Sequence, residues 1–308
     1  MFQRASRYAA VFAALLCISF AAFAGPDGPD LSPVDAAFKA ASLVEQPGPV
    51  DVSLRDQATL RLPDGYVFVP RPAADQIMQA FGNRVDERFL GLVLPTSGED
   101  WFVVAEFENS GYIQEDDARD WNVDELFENL KQGTEAANEE RRRRDFEEIE
   151  VVGWVEPPRY DPAAHRLVWS MSARPKGAPA DAPQSVNYNT YALGREGYIT
   201  LNLIADLQQI DRFKPHAETL LAALDYASGK TYADFDAATD RMAEYGLAAL
   251  VGGVAAKKLG LFAVIAAFVA KFAKVILLAV IALGGGLFKY LRRDKHTAPG
   301  RGSAIDGE

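Results

Sequence analysis

The stretch Val186-Asn187-Tyr188-Asn189-Thr190-Tyr191-Ala192-Leu193-Gly194-Arg195-Glu196-Gly197-Tyr198-Ile199-Thr200-Leu201-Asn202-Leu203 holds two alternating runs on either side of a four-residue break. Successive side chains of a strand point to opposite faces, so the period of two predicts strands at 186–193 and 198–203. Gly194-Arg195-Glu196-Gly197 lacks the third glycine of a dinucleotide loop and reads as the hairpin turn between Tyr191 and Tyr198. In the second run Ile199, Leu201 and Leu203 face a core, while Thr200 and Asn202 face out.

Working outward, further alternating runs lie at 50–54, 58–62, 66–69, 91–94, 101–108, 149–155 and 165–172. In the run from Trp101 to Glu108, Trp101, Val103, Ala105 and Phe107 share one face. Helical patterns interrupt the strands at 34–45 and 73–81, the second closed by Gly82-Asn83. The longest begins at Asn122, three residues before Glu125, as a capping signal, and runs towards Arg144. Pro215 is expected to open a last helix that ends before Gly229 and buries Leu220, Leu221 and Leu224. Strands outnumber helices and follow one another directly, which predicts an α+β domain with a mainly antiparallel sheet and covering helices over residues 50–235. A flexible stretch at 25–49 precedes it, and a linker helix at 236–258 is expected to follow.

Of 308 residues, 49% are apolar and 24% charged, the composition of a folded chain. The charge is unevenly placed. Residues 25–256 hold 21 basic and 40 acidic side chains, a formal −19, which repels phosphate backbones and excludes nucleic acid as a partner of that segment. Residues 1–24 read as a signal peptide: Arg4 and Arg7, an apolar stretch from Ala9 to Phe20, and Ala22-Phe23-Ala24 before Gly25. Leu15 and Leu16 before Cys17 do not fit a lipoprotein signal, and cleavage at Gly25 leaves a mature chain with no cysteine, hence no disulfide or thiolate chemistry.

From Leu259 to Phe288 the only charges are Lys271 and Lys274, with Lys257-Lys258 before and Lys289, Arg292, Arg293 and Lys295 after. At ~1.5 Å per residue this run exceeds a bilayer core of about 30 Å. It is expected to form a transmembrane helix within 259–290, with residues 291–308 as a basic cytoplasmic tail and the main domain in the periplasm, the orientation that basic flanks favour. An interfacial helix followed by a short span, or a helical hairpin, stays open, although no turn residues lie near Lys271. Each buried lysine costs about 2.5–3.5 kcal/mol, so Lys271 and Lys274 either snorkel or face a partner. Ala263 with Ala267, and Ala266 with Ala270, recur at the spacing that lets helices approach closely, which suits an oligomer through the anchor.

Several strings carry a family resemblance: Leu62-Pro63-Asp64-Gly65-Tyr66, Trp101-Phe102-Val103-Val104, Gly111-Tyr112-Ile113, Asp116-Asp117-Ala118, Gly153-Trp154, Pro158-Arg159-Tyr160-Asp161, Val186-Asn187-Tyr188-Asn189, Leu193-Gly194-Arg195, Tyr232-Ala233-Asp234-Phe235 and Tyr245-Gly246-Leu247. In this order they resemble the bacterial membrane-anchored family called domain of unknown function 2167, over about residues 50–290. The resemblance implies an envelope protein with a C-terminal anchor and brings no catalytic residues or cofactor. The succession of elements is also similar to the Mog1/PsbP-like α+β fold.

Motifs for chemistry mostly fail. Ser228-Gly229-Lys230-Thr231 has Leu224 where a phosphate loop needs its first glycine, and no serine sits in a nucleophile elbow. Asp161-Pro162-Ala163-Ala164 before His165 is a turn-forming string. Glu115, Asp116, Asp117 and Asp120 lack the glycine and ligand spacing of a calcium loop and suit the approach to a helix N-terminus. No cofactor or metal is therefore expected. The candidate interaction residues are Tyr160, Asn187, Tyr188, Asn189, Arg195, Asp116 and Asp117; most of the aromatics are expected in the core, and a subset exposed at one sheet edge beside Arg195 would make a peptide or glycan platform. Two function classes remain. One is a non-enzymatic interaction or assembly module whose partners are other membrane or envelope proteins. The other is a periplasmic hydrolase or metal-dependent enzyme that uses Asp116, Asp117, Asp161 and His165.

Overall fold

The computed structural model describes residues 32–252 except 84 and 144. The expected signal peptide, Cys17, Lys271, Lys274, the expected anchor at 259–290 and the basic tail lie outside the described residues. No helix among the described residues is long and apolar enough to cross a membrane.

Helix α1 (Pro33–Ala41) starts where Ser32 accepts a hydrogen bond from the Asp35 amide at 3.1 Å, and proline sits at its first position. Strands β1 (Gln46–Pro47), β2 (Val50–Leu54), β3 (Ala58–Leu62) and β4 (Tyr66–Pro70) follow, then helix α2 (Ala73–Ala80), β5 (Phe89–Pro95) and β6 (Trp101–Glu108). A 3-10 turn (Asp116–Asp120) leads into helix α3 (Val123–Arg143). The Asn122 side chain caps α3 by accepting from the amides of Asp124 and Glu125, so the expected start is where the helix begins. Then come β7 (Ile149–Asp161), β8 (Arg166–Pro175), β9 (Ser185–Leu193), β10 (Tyr198–Asp206), helix α4 (Ile210–Ala222), β11 (Leu224–Tyr226), a short 3-10 turn (Tyr232–Asp234) and α5 (Ala248–Gly252).

The result is an α+β fold dominated by an eight-stranded antiparallel sheet, in the order β1-β4-β5-β6-β10-β9-β8-β7. The 186–203 hairpin lies inside it, closed by the Gly194 amide donating to the Gly197 carbonyl at 2.8 Å. Both edges are blunted: β1 has two residues and ends in Pro47, while β7 carries Pro157, Pro158 and three register shifts against β8. A second sheet, β11-β3-β2, lies with α4 over one face of the large sheet. Val103, Ala105, Ile199, Leu201 and Leu203 join Leu54, Leu60, Phe213 and Leu220 in that core. The opposite face is covered in two places. Helices α1 and α2 pack over β4 to β6 through Phe38, Ile77, Phe89 and Phe102. Helices α3 and α5 pack over β8 and β9 through Leu126, Trp169, Tyr191, Leu247 and Val251.

Three expectations change. The last helix begins at Ile210, with Pro215 inside it, because Ile210, Phe213, Ala217, Leu220 and Leu221 form one buried stripe that starts before the proline. The linker helix expected over 236–258 is helical only at Ala248–Gly252 among the described residues, and Leu247, Leu250 and Val251 are buried in the domain, which therefore extends past residue 235. Thr200 and Asn202 do face away from the main core, yet Thr200 is buried and Asn202 half-buried, because their face also carries covering helices.

Candidate functional site

The hairpin between β7 and β8 brings together side chains far apart in sequence. Asp161 accepts from the amides of Ala163 and Ala164, which makes the turn, and His165 leaves it with a left-handed backbone (φ 52°). The imidazole Nδ1 then lies 3.1 Å from Glu115 Oε2 and 3.5 Å from the Tyr160 hydroxyl, which itself donates to Glu115. A carboxylate can only accept from the ring, so Nδ1 is the donor in this contact. Burial, followed by the bond to Glu115, pushes the Tyr160 phenol well above its ordinary range, so it remains a donor at physiological pH.

Behind His165 stands a column of rings. The imidazole stacks on Tyr232 with centroids 4.1 Å apart, Tyr232 on Tyr112 at 4.4 Å, and Tyr112 on Phe235 at 3.9 Å. Tyr232 is buried and donates to the Ile113 carbonyl at 2.7 Å, and Thr231 and Asp234 bond reciprocally to hold the turn that presents it. His165, Tyr160, Tyr112 and Phe235 are half-buried, so the column meets solvent along its rim. Its shape is an amphipathic aromatic surface with one carboxylate and one imidazole beside it.

The other candidates are drawn into holding this region together or lie elsewhere. Asp117 accepts from the amides of Leu247 and Ala248, both at 3.1 Å, and so caps α5; burial raises its pKa and those two amides oppose the rise. Asp116, its neighbour, is exposed. Arg195 forms a two-pronged pair with Asp240, at 2.7 and 2.9 Å, and reaches the Gly229 carbonyl. That pairing holds the Asp240 carboxyl well below its ordinary range. A platform of aromatics and amides at a sheet edge beside Arg195 does not form, because β9 is interior and its residues alternate. Tyr188 is buried in the core under α4, whereas Asn187 and Asn189 are on the opposite face. The enzyme set is likewise separated: Asp117 and Asp161 each bond backbone amides, and the acid that meets His165 is Glu115. Among the described residues no group of three histidine, cysteine or acidic side chains could hold a metal ion.

Sequence reading passed over Glu115 as a partner of His165 and missed the ring column. Tyr112, His165 and Tyr232 lie on three separate segments, and the only local signals were the aromatic pair in Tyr232-Ala233-Asp234-Phe235 and the turn before His165.

An antiparallel α+β domain with a carboxylate–imidazole pair on an aromatic column defines the class structurally. The family model described as "Protein of unknown function (DUF2167)" matches residues 45–284, and the chain belongs to that family. No curated protein matches it. Among solved structures the chain is similar to cyanobacterial PsbP (CyanoP) from Synechocystis sp. PCC 6803, solved in solution. The identity is 10% and the TM-score 0.34, over 67% of this chain and 99% of that one.

Proposed function

We propose that the protein is exported, is held in the cytoplasmic membrane by residues 259–290, and presents an acidic domain outside the cytoplasm that binds other membrane or envelope proteins. The observation that carries the binding reading is the ring column. Its rim is half-exposed and amphipathic, and the turns and caps around it are fixed by Asp117, Asp161, Thr231 and the Arg195–Asp240 pair. A rigid aromatic surface loses little entropy on docking, which suits recognition. The anchored, outward-facing arrangement is supported by the signal-like start, the apolar run after Lys258 and the basic residues after Phe288. Fusing a reporter that works only outside the cytoplasm tests it: activity is expected after Gly252 and silence after Asp294, and the reverse pattern overturns the arrangement.

One observation favours the enzymatic reading. Glu115 holds the His165 ring through Nδ1, the carboxylate–imidazole arrangement that a general acid–base catalyst uses. Under that reading His165→Asn abolishes turnover of ester, phosphate or peptide substrates by the purified chain; under the binding reading there is no turnover to lose.

A further inference from the structure

Away from the hairpin, the sheet face that carries the two helical layers has a strip that neither layer's core includes. Glu106 on β6, Thr200 and Asn202 on β10, and Asn187 and Asn189 on β9 all point to this face. Their registers order them along the strip: Thr200 pairs with Glu106 on one side and Tyr191 on the other, Asn202 pairs with Val104, and Asn187 lies further along, opposite Ile204. Apolar walls bound the strip, with Phe102 and Val104 towards α2 and with Trp169, Met171 and Tyr191 towards α3 and α5. We propose that this strip binds a hydrogen-bond-donating cation, a primary ammonium or guanidinium group.

The floor offers acceptors. Asn202 Oδ1 and the Thr200 hydroxyl, two residues apart on β10, are buried without a hydrogen-bond partner, and Thr200 is 5% exposed. Buried polar atoms in native proteins are almost always satisfied, so two such atoms on the face that carries Glu106 point to a group that the fold itself does not supply. Glu106 adds a carboxyl. The cation nearest to it in influence, Arg88, is engaged by Asp86 at 2.6 Å and Glu108 at 3.3 Å, and Glu106 has no ion pair of its own among the described residues. Burial accordingly raises the Glu106 pKa, with Asp86 and Glu108 adding to the rise and Arg88 opposing it. An arriving cation would reverse that cost. The acidic surroundings, a formal −19 over residues 25–256, draw in the same charge. The cation can come from a free amine or from a lysine or arginine side chain of a partner, since the strip reads only the charged head.

The test uses the full chain in mild detergent, titrated calorimetrically with spermidine and with an end-blocked trilysine peptide. Saturable binding of one or both is expected; tighter spermidine binding identifies a free amine as the source and tighter peptide binding a partner's side chain. Glu106→Gln and Asn202→Ala should each weaken binding about tenfold or more. Glu106→Gln should at the same time raise the thermal midpoint at neutral pH, since it removes a carboxylate that burial disfavours; a folding defect therefore cannot mimic the effect. Glu139→Gln, on the exposed face of α3, should change nothing. Absence of saturation at millimolar concentration, unchanged binding by Glu106→Gln, or an equal loss in Glu139→Gln overturns the proposal.

Discussion

Replacing Asp117 by alanine separates two neighbouring acids that the sequence presents alike. Both Asp117 oxygens accept backbone amides at 3.1 Å, from Leu247 and Ala248, and they tie the 3-10 turn to the segment that carries Leu247, Leu250 and Val251 into the core. Losing a helix cap costs about 1 kcal/mol, and leaving an amide unsatisfied in a half-buried place costs about 1–3 kcal/mol. Against this stands the relief of a carboxylate whose burial raises its pKa, so the net loss for Asp117→Ala is placed at about 2–3 kcal/mol. Asp117→Asn keeps one accepting oxygen and should lose about half of that. Asp116→Ala removes an exposed side chain and should stay within about 0.5 kcal/mol. At ~2–4 °C per kcal/mol for a domain of this size, Asp117→Ala lowers the thermal midpoint by roughly 4–12 °C. Tryptophan fluorescence of the full chain in mild detergent reads it. Equal midpoints for Asp117→Ala and Asp116→Ala would refute the capping role.

Two further outcomes follow from the same contacts. Arg195 depresses the Asp240 pKa, so that pair's contribution is present above the ordinary aspartate value of about 3.9 and is lost as pH falls through and below it. Arg195→Met should therefore flatten the acid limb of a midpoint-against-pH curve below about pH 5, and an unchanged limb would contradict the pairing. A secreted chain ended after Gly252 should fold, whereas one ended after Gly229 should not, because Tyr232, Leu247, Leu250 and Val251 are buried and each is worth about 1.5–3 kcal/mol. Protease resistance of the two truncations decides between these results.

Much of the sheet was legible because its signals are local. The 186–203 hairpin, the run from Trp101 to Glu108 and the Asn122 cap each depend on residues within a few positions of one another, and each lies where the pattern puts it. Pro215 misled because proline's preference for a helix's first turn is weaker than an apolar stripe that begins at Ile210. Alternation told which face Thr200 and Asn202 share but not what covers that face, since α2 and α5 reach it from distant parts of the chain. The candidate site was legible residue by residue and not as a site. Tyr160 and His165 were singled out, but Glu115 is 50 positions from His165 and Tyr232 lies on another segment again, so their meeting depends on the fold alone. Arg195 and Asp117 looked like interaction residues because charged groups in loops often are; here Asp240 and the start of α5 take them up.

The claim that the ring column is the protein's recognition surface is tested most directly by photocross-linking in intact cells. A light-activated residue at Gln114, exposed beside Glu115 and the rim of the column, is compared with one at Asp211, exposed on α4 across the sheet. The account predicts a discrete cross-link to another membrane or envelope protein from position 114, absent from position 211 and lost when Phe235→Ala shortens the column. Identical products from both positions, or a product at 114 that survives Phe235→Ala unchanged, would contradict it.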